Sequence, residues 1–240
     1  GKMMNGLPGL FAGMAVGVVI SVIVAFLVGL PTLRLKGDYL AIATLGVAEI
    51  IRVAVTNMKL TNGAAGISGV PLTNTWTITY IALVLTTILI LNYTFSSAGR
   101  ATYAVLQDEI AAESMGVQVT KYKILAFVLG AATASIGGTL SATTLGAVTP
   151  SDFTFMKSIE VLIIVVFGGI GSFTGSFVAA VLLGIINLVL QPFGQLRMII
   201  YAVALILIMI FRPGGLLGTW EFKLGDFKFS KKKETKESGK

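Results

Sequence analysis

Apolar residues in this chain gather into long blocks, and four of these blocks dominate it: 10–30, 39–56, 76–95 and 122–145. Each has about the 20 residues a helix needs to cross a hydrocarbon core of roughly 30 Å. Three other stretches, 159–167, 173–190 and 198–211, are apolar but shorter or less regular. The pattern predicts an all-α polytopic membrane protein, a bundle of about seven membrane segments. The stretch 159–167 is too short to cross comfortably. Gly168-Gly169-Ile170-Gly171-Ser172 interrupts the apolar pattern directly after it, so a tilted or broken helix is expected there.

The polar segments are as informative as the apolar ones. Between the third and fourth blocks lies Gly99-Arg100-Ala101, followed by Asp108-Glu109-Ile110-Ala111-Ala112-Glu113-Ser114-Met115-Gly116. This segment is charged and helix-prone. As a membrane span it would put the carboxylates of Asp108, Glu109 and Glu113 into lipid. A helix lying on the membrane surface is the simpler alternative, but such helices are usually cationic. The acids leave Ala111, Ala112, Met115 and Val117 to pack into a partner groove. A channel or simple carrier has little use for such a segment, whereas a membrane protein that docks a soluble motor needs one.

Composition strengthens the membrane reading. Hydrophobic residues make up 55% and charged residues only 12%, about half the charged share of an ordinary soluble domain. Cysteine and histidine are both absent. That removes disulfides, thiol chemistry and the commonest general base and metal ligand. No catalytic residue, metal site or cofactor is expected in the chain, and no nucleic-acid partner. The net charge of +7 comes largely from the Lys-rich end. The chain divides into a membrane domain, 1–222, with its surface loop at 99–120, and a basic tail, 223–240, expected to be disordered. Contact with anionic lipid is the sharper reading of that tail. The chain opens at Gly1 without an initiator Met or a basic segment before the first block, which is expected of a trimmed chain and not of a signal peptide.

Lys and Arg in short loops orient the spans. Arg34 and Lys36 lie after the first block, Arg100, Lys121 and Lys123 flank the charged segment, and Arg212 follows the last block. Counting crossings puts all of them on one side, expected to be cytoplasmic. The loops holding Lys59, Asp152 with Lys157, and Gln191 then fall on the other side. Gly29-Leu30-Pro31-Thr32 before Tyr39 has a faint echo in Gly146-Ala147-Val148-Thr149 before Ser158. The two units would have opposite topology, the pattern of an inverted repeat.

Few ionisable groups lie within the spans. Glu49 and Arg52 are three residues apart and share a helix face. They form either a local ion pair that stabilises packing or part of a substrate path. Glu160 is either interfacial or a path residue. Gly168 and Gly169 break a helix at membrane depth, where freed backbone must be satisfied by protein or water, and a gate or pore lining is one reading. Gly130, Ala134 and Gly138, like Gly13 and Gly17, stand at the spacing that lets helices approach closely.

The segment 108–116 resembles the coupling loop of ABC importer permeases, whose pattern is Glu-Ala-Ala, three residues, then Gly. Ala111-Ala112, three residues and Gly116 fit, while Glu109 is displaced by one position with Ile110 between. Four more stretches look like the LivM-type permease of branched-chain amino-acid ABC importers. They are Leu33-Arg34-Leu35-Lys36-Gly37-Asp38-Tyr39-Leu40-Ala41-Ile42-Ala43-Thr44-Leu45-Gly46, Phe153-Thr154-Phe155 with Ser158-Ile159-Glu160, Gly168-Gly169-Ile170-Gly171-Ser172, and Phe211-Arg212-Pro213-Gly214-Gly215-Leu216-Leu217-Gly218. Members of that family look longer at the N-terminus. The resemblance implies a multi-pass subunit of the inner membrane, with 108–116 as a cytoplasmic coupling helix. It implies a second, related permease, two ATP-binding cassette subunits that bind the ATP, and an extracytoplasmic substrate-binding protein. Import of urea, short amides or nucleosides is an alternative within the same pattern. A stand-alone secondary transporter or channel is a rival that leaves the charged helix unexplained.

Overall fold

In the computed structural model, residues 6–35, 37–169 and 171–190 are described, with positions 194, 196, 199, 200 and 203 beyond them. The expected span 198–211, the motif at Phe211–Gly218, Lys36, Gln191 and the tail 223–240 lie outside the described residues, apart from those isolated positions. The chain divides into two compact units, Gly1–Phe155 and the part from Met156 onward.

The first unit holds α1 (Leu7–Thr32), α2 (Asp38–Asn57), α3 (Trp76–Phe95), α4 (Ser97–Gln107), α5 (Glu109–Ser114) and α6 (Val119–Leu145). Helices α1, α2, α3 and α6 are long and apolar enough to cross a membrane, and they coincide with the four dominant blocks of the sequence. In hydrocarbon a backbone must satisfy its own polar groups, so each apolar block closes on itself as a helix. The chain is a multi-pass, mainly helical membrane protein. The expectation of about seven segments reduces to these four among the described residues.

The main packing pair is α1 with α6. Ser21 Oγ donates to Ala131 O at 2.8 Å. A methyl group placed on Gly17 would sit 3.0 Å from Ser135 Oγ, and one on Gly29 would sit 3.3 Å from Phe127. Ascending positions on α1 therefore meet descending positions on α6, and the two helices are antiparallel. The contact row on α6 is Phe127, Ala131, Ser135 and Thr139, not the expected Gly130, Ala134 and Gly138. Gly130 and Gly138 have no neighbour near a notional Cβ. Small residues permit close approach, but they do not say which side the partner occupies.

At one end of this unit the loops after α2 and α6 join. Strands β1 (Ile67–Ser68) and β2 (Ala147–Val148) pair antiparallel, Ile67 opposite Val148. Gly66, at φ +72°, lies so close that a Cβ would meet Val148 O at 2.2 Å. Asp152 closes a turn with Thr149, whose hydroxyl and amide both donate to the carboxylate. These bonds, the hydroxyl first, hold the Asp152 carboxyl below its ordinary range. At the other end, Phe26 of α1 lines a cavity of about 670 Å³ together with Glu113, Gln118 and Lys121. The end of α1, the segment α5 and the start of α6 thus share the end opposite the paired loops.

The expected inverted repeat does not show equivalent local structure. Gly29 lies inside α1, which continues to Thr32. Gly146 leaves α6 in a left-handed conformation at φ +73° and leads into β2.

The second unit contains the body of α7 (Phe155–Gly168) and α8 (Phe173–Leu190). At 1.5 Å per residue, the 14 residues of α7 span about 21 Å, short of the hydrocarbon core as expected. Phe167, Ala179 and Leu183 form its buried core, with Ile163, Ile164 and Ile186 packed on them. The break at Gly168-Gly169 is a helical hairpin. Ser172 starts α8 by accepting from Gly175 N at 3.0 Å.

Candidate functional site

The charged segment folds as two short helices, and its caps explain its residue types. Asp108 leaves α4 in an extended conformation and caps α5, its Oδ1 accepting from Ile110 N at 2.8 Å and Ala111 N at 3.1 Å. A carboxylate here satisfies two orphan amides and complements the positive end of the helix. At the far end Gly116 has φ +83°. Gly116 N donates to Glu113 O at 2.9 Å and Val117 N to Ala112 O at 3.0 Å. This is a Schellman termination, which calls for glycine because a Cβ is strained at that φ. The Asp and the Gly of the motif therefore delimit one six-residue helix.

The faces of α5 divide sharply. Ala112 is 5% exposed, so it belongs to the chain's own interior and not, as expected, to the surface offered to a partner. Residues three or four apart share a helix face, and α5 has to seat one of them against α4 and α6. Ile110 is 75% and Met115 85% exposed, with Ala111, Glu113 and Gly116 also exposed. Tyr103 and Leu106 of α4 are exposed as well. Sequence reasoning missed Tyr103, Leu106 and Ile110. Their signal was apolar side chains within a segment too polar to be a span.

Glu109 is tied to the protein itself. Its carboxylate accepts from Lys123 Nζ of α6 in a direct ion pair. The partner lies 14 residues away, across a left-handed turn that no helical periodicity bridges.

The remaining candidates occupy separate places. Glu49 and Arg52 form a two-point ion pair on α2, with Arg52 Nε donating to Glu49 Oε2 at 2.9 Å and Nη2 reaching Oε1. Both lie on the helix with no buried residue, so the pair needs nothing beyond one turn of α2 to form. Glu160 accepts from Lys157 at 2.8 Å within α7. Gly168 and Gly169 sit where α7 gives way to α8. A Cβ on Gly168 would stand 2.5 Å from the Gly175 backbone, and one on Gly175 2.2 Å from Gly168 O. Close crossing of two backbones accounts for Gly168 without a gate.

A groove of about 510 Å³ runs between α3 and α6, lined by hydroxyls of Thr79, Thr86, Thr133 and Thr144. These are satisfied locally. Thr86, Thr133 and Thr144 donate to carbonyls one turn back, and Thr79 donates to Asn74. Among the described residues no group of three or more His, Cys, Asp or Glu side chains could hold a metal ion.

Comparison with known proteins bears on this geometry. The family described as branched-chain amino acid transport system / permease component matches residues 2–211. The high-affinity branched-chain amino acid transport system permease protein LivM of Escherichia coli K12 is 36% identical, over 80% of this chain and 53% of its own length. LivM of Salmonella typhimurium is also 36% identical, over 82% of this chain and 55% of its own. LivH of Escherichia coli K12 is 30% identical over 60% of this chain and 46% of its own length. The chain spans about half the length of the curated relatives it matches. No solved structure matches it significantly. With a family match over residues 2–211 and four helices long and apolar enough to cross a membrane where the hydropathy requires them, the chain belongs to the permease component family of branched-chain amino acid transport systems.

Proposed function

We propose that this chain is a permease subunit of an ATP-driven importer that moves branched-chain amino acids across the cell membrane by alternating access. The observation that carries this reading is the surface of α5. A six-residue helix is capped at both ends, seated through Ala112, and presents Ile110 and Met115 outward. Apolar side chains exposed beyond the ends of the membrane helices mark a docking surface. The other partners would be a second, related permease and an extracytoplasmic binding protein. Names of the relatives, which are branched-chain amino acid permeases, support the substrate class.

In this reading the end of the first unit that carries α5, Arg34, Arg100, Lys121 and Lys123 faces the cytoplasm, as basic residues favour. The paired loops at β1 and β2 face outside. ATP-driven closure of two docked ATPase subunits would move α5 as a rigid body and rock the spans. Glu49, Arg52, Glu160, Gly168 and Gly169 are the positions to test for a substrate path, since ionisable groups and broken helices at membrane depth are costly.

The test is uptake into vesicles containing this chain with its partner permease, ATPase subunits and binding protein, with and without ATP, across leucine, isoleucine, valine and urea. ATP-dependent uptake of the three amino acids and not of urea is the expected result. Uptake driven by a proton or sodium gradient without ATP would refute the reading.

A further inference from the structure

We propose that the Glu109–Lys123 ion pair is a strut that locks α5 onto α6, so that displacement of the docked helix is delivered to the α6–α1 pair and not absorbed by the connecting turn. This rests on the coupling reading of α5 above.

The connection between α5 and α6 is weak by itself. The bonds that close α5, from Gly116 N and Val117 N, both return to α5. The first backbone bond of α6 comes from Tyr122 N to Gln118 O. Residues 115–118 thus hold α5 to α6 covalently at its C-terminal end, and no backbone bond stiffens the junction. At its other end α5 continues through Asp108 into α4, so along the backbone only its last turn is joined to α6. A side-chain tie to α6 at the first turn fixes that end on α6 as well, and Glu109 is the first residue of α5. Glu109–Lys123 is the one ion pair between the two helices among the described residues. The Lys123 side chain is 20% and the Glu109 side chain 39% exposed, so the pair is partly withdrawn from solvent.

The far side of the strut leads into the membrane. Lys123 and Phe127 are four apart on α6 and share a face. Phe127 touches the Gly29 position of α1, and Ser21 bonds Ala131 one turn further along. A push on Glu109 therefore reaches α1 within two turns of α6. The same pairing occupies the carboxylate that the family pattern places beside Ala-Ala. Docking then falls to Ile110, Ala111 and Met115, and Glu109 is a positioning residue.

The experiment uses the complete importer in proteoliposomes, with Glu109→Gln, Lys123→Gln and the double exchange Glu109→Lys/Lys123→Glu. Co-purification of the ATPase, ATP hydrolysis and leucine uptake are measured together. The strut predicts that each single variant keeps its ATPase and its hydrolysis. Leucine moved per ATP should fall about threefold, the scale of a partly exposed pair. The double exchange should return within about twofold of the wild type. In parallel, spin labels at Ser114→Cys and Val128→Cys report the α5–α6 distance, which should broaden in each single variant and narrow in the exchange. An unchanged leucine-to-ATP ratio, or an unchanged distance distribution, would overturn the strut. Loss of the ATPase from the single variants would overturn it too, since Glu109 would then contact the ATPase directly. Failure of the wild-type chain to retain an ATPase would instead refute the coupling reading.

Discussion

Gly175 is the position where a single methyl group has the clearest expected effect. In α8 an Ala would ordinarily gain up to about 1 kcal/mol over Gly through backbone entropy. Here the added Cβ would stand 2.2 Å from Gly168 O and 3.0 Å from both Gly168 C and Ser172 Oγ. Real Cβ atoms essentially never come within 3.0 Å of such a neighbour, so the crossing must open by close to an ångström. The obstacle is backbone, which cannot swing aside like the end of a flexible side chain. Overpacking of this kind costs about 1–3 kcal/mol, more than the propensity gain, and the net sign is destabilising by roughly 1–2 kcal/mol. Gly184 lies in the same helix with nothing within 4 Å of a notional Cβ. Gly184→Ala should therefore keep or raise stability by up to about 1 kcal/mol. The assay is thermal unfolding of the purified protein in detergent, read from the loss of α-helical signal, with both variants run beside the wild type. Gly175→Ala unfolding no earlier than Gly184→Ala would refute the close crossing of α7 and α8.

Two further outcomes are expected. Ser21→Ala removes the hydroxyl bonded to Ala131 O across the α1–α6 contact. It should lower stability by about 0.5–1 kcal/mol in detergent unfolding, and an unchanged midpoint would mean that α1 does not meet α6 on this face. The turn at Asp152 should depend on pH in one direction only. Its carboxyl is held below the ordinary range by the Thr149 hydroxyl and then the Thr149 amide, so the stabilisation is complete above the unfolded carboxyl value and is lost as pH falls through the lower folded value. Hydrogen exchange at Thr149 and Asp152, corrected for intrinsic rates, should be flat from neutral pH to about pH 5 and lose protection only in stronger acid. Asp152→Asn should abolish that acid step, and persistence of the step in this variant would assign it to another group.

Much of the fold was legible because the bilayer is a severe solvent. An apolar block in hydrocarbon must bond its own amides and carbonyls, and α1, α2, α3 and α6 fall where hydropathy puts them. The limits of α5 were equally local. Asp108 caps because its side chain reaches amides two and three residues on, and Gly116 terminates because it alone adopts φ +83° without strain. The break at Gly168-Gly169 was legible as a break, but its use as a close crossing was not, because the atoms it admits belong to Gly175 on the next helix.

Other features were open in the sequence and were decided by tertiary structure. Rows 130/134/138 and 131/135/139 of α6 both carry small residues, and only the approach of α1 selects the second. Ala111 and Ala112 are chemically equal, yet one faces solvent and the other the interior, according to which side of α5 meets α4 and α6. Glu109 had several basic residues within reach along the chain, and the turn at Gly116 brings Lys123 to it. Hydropathy and capping depend on a residue and its near neighbours, so sequence alone determined the four spans and the ends of α5. Facing, pairing and register depend on a second element whose direction of approach is encoded nowhere near the residues that receive it.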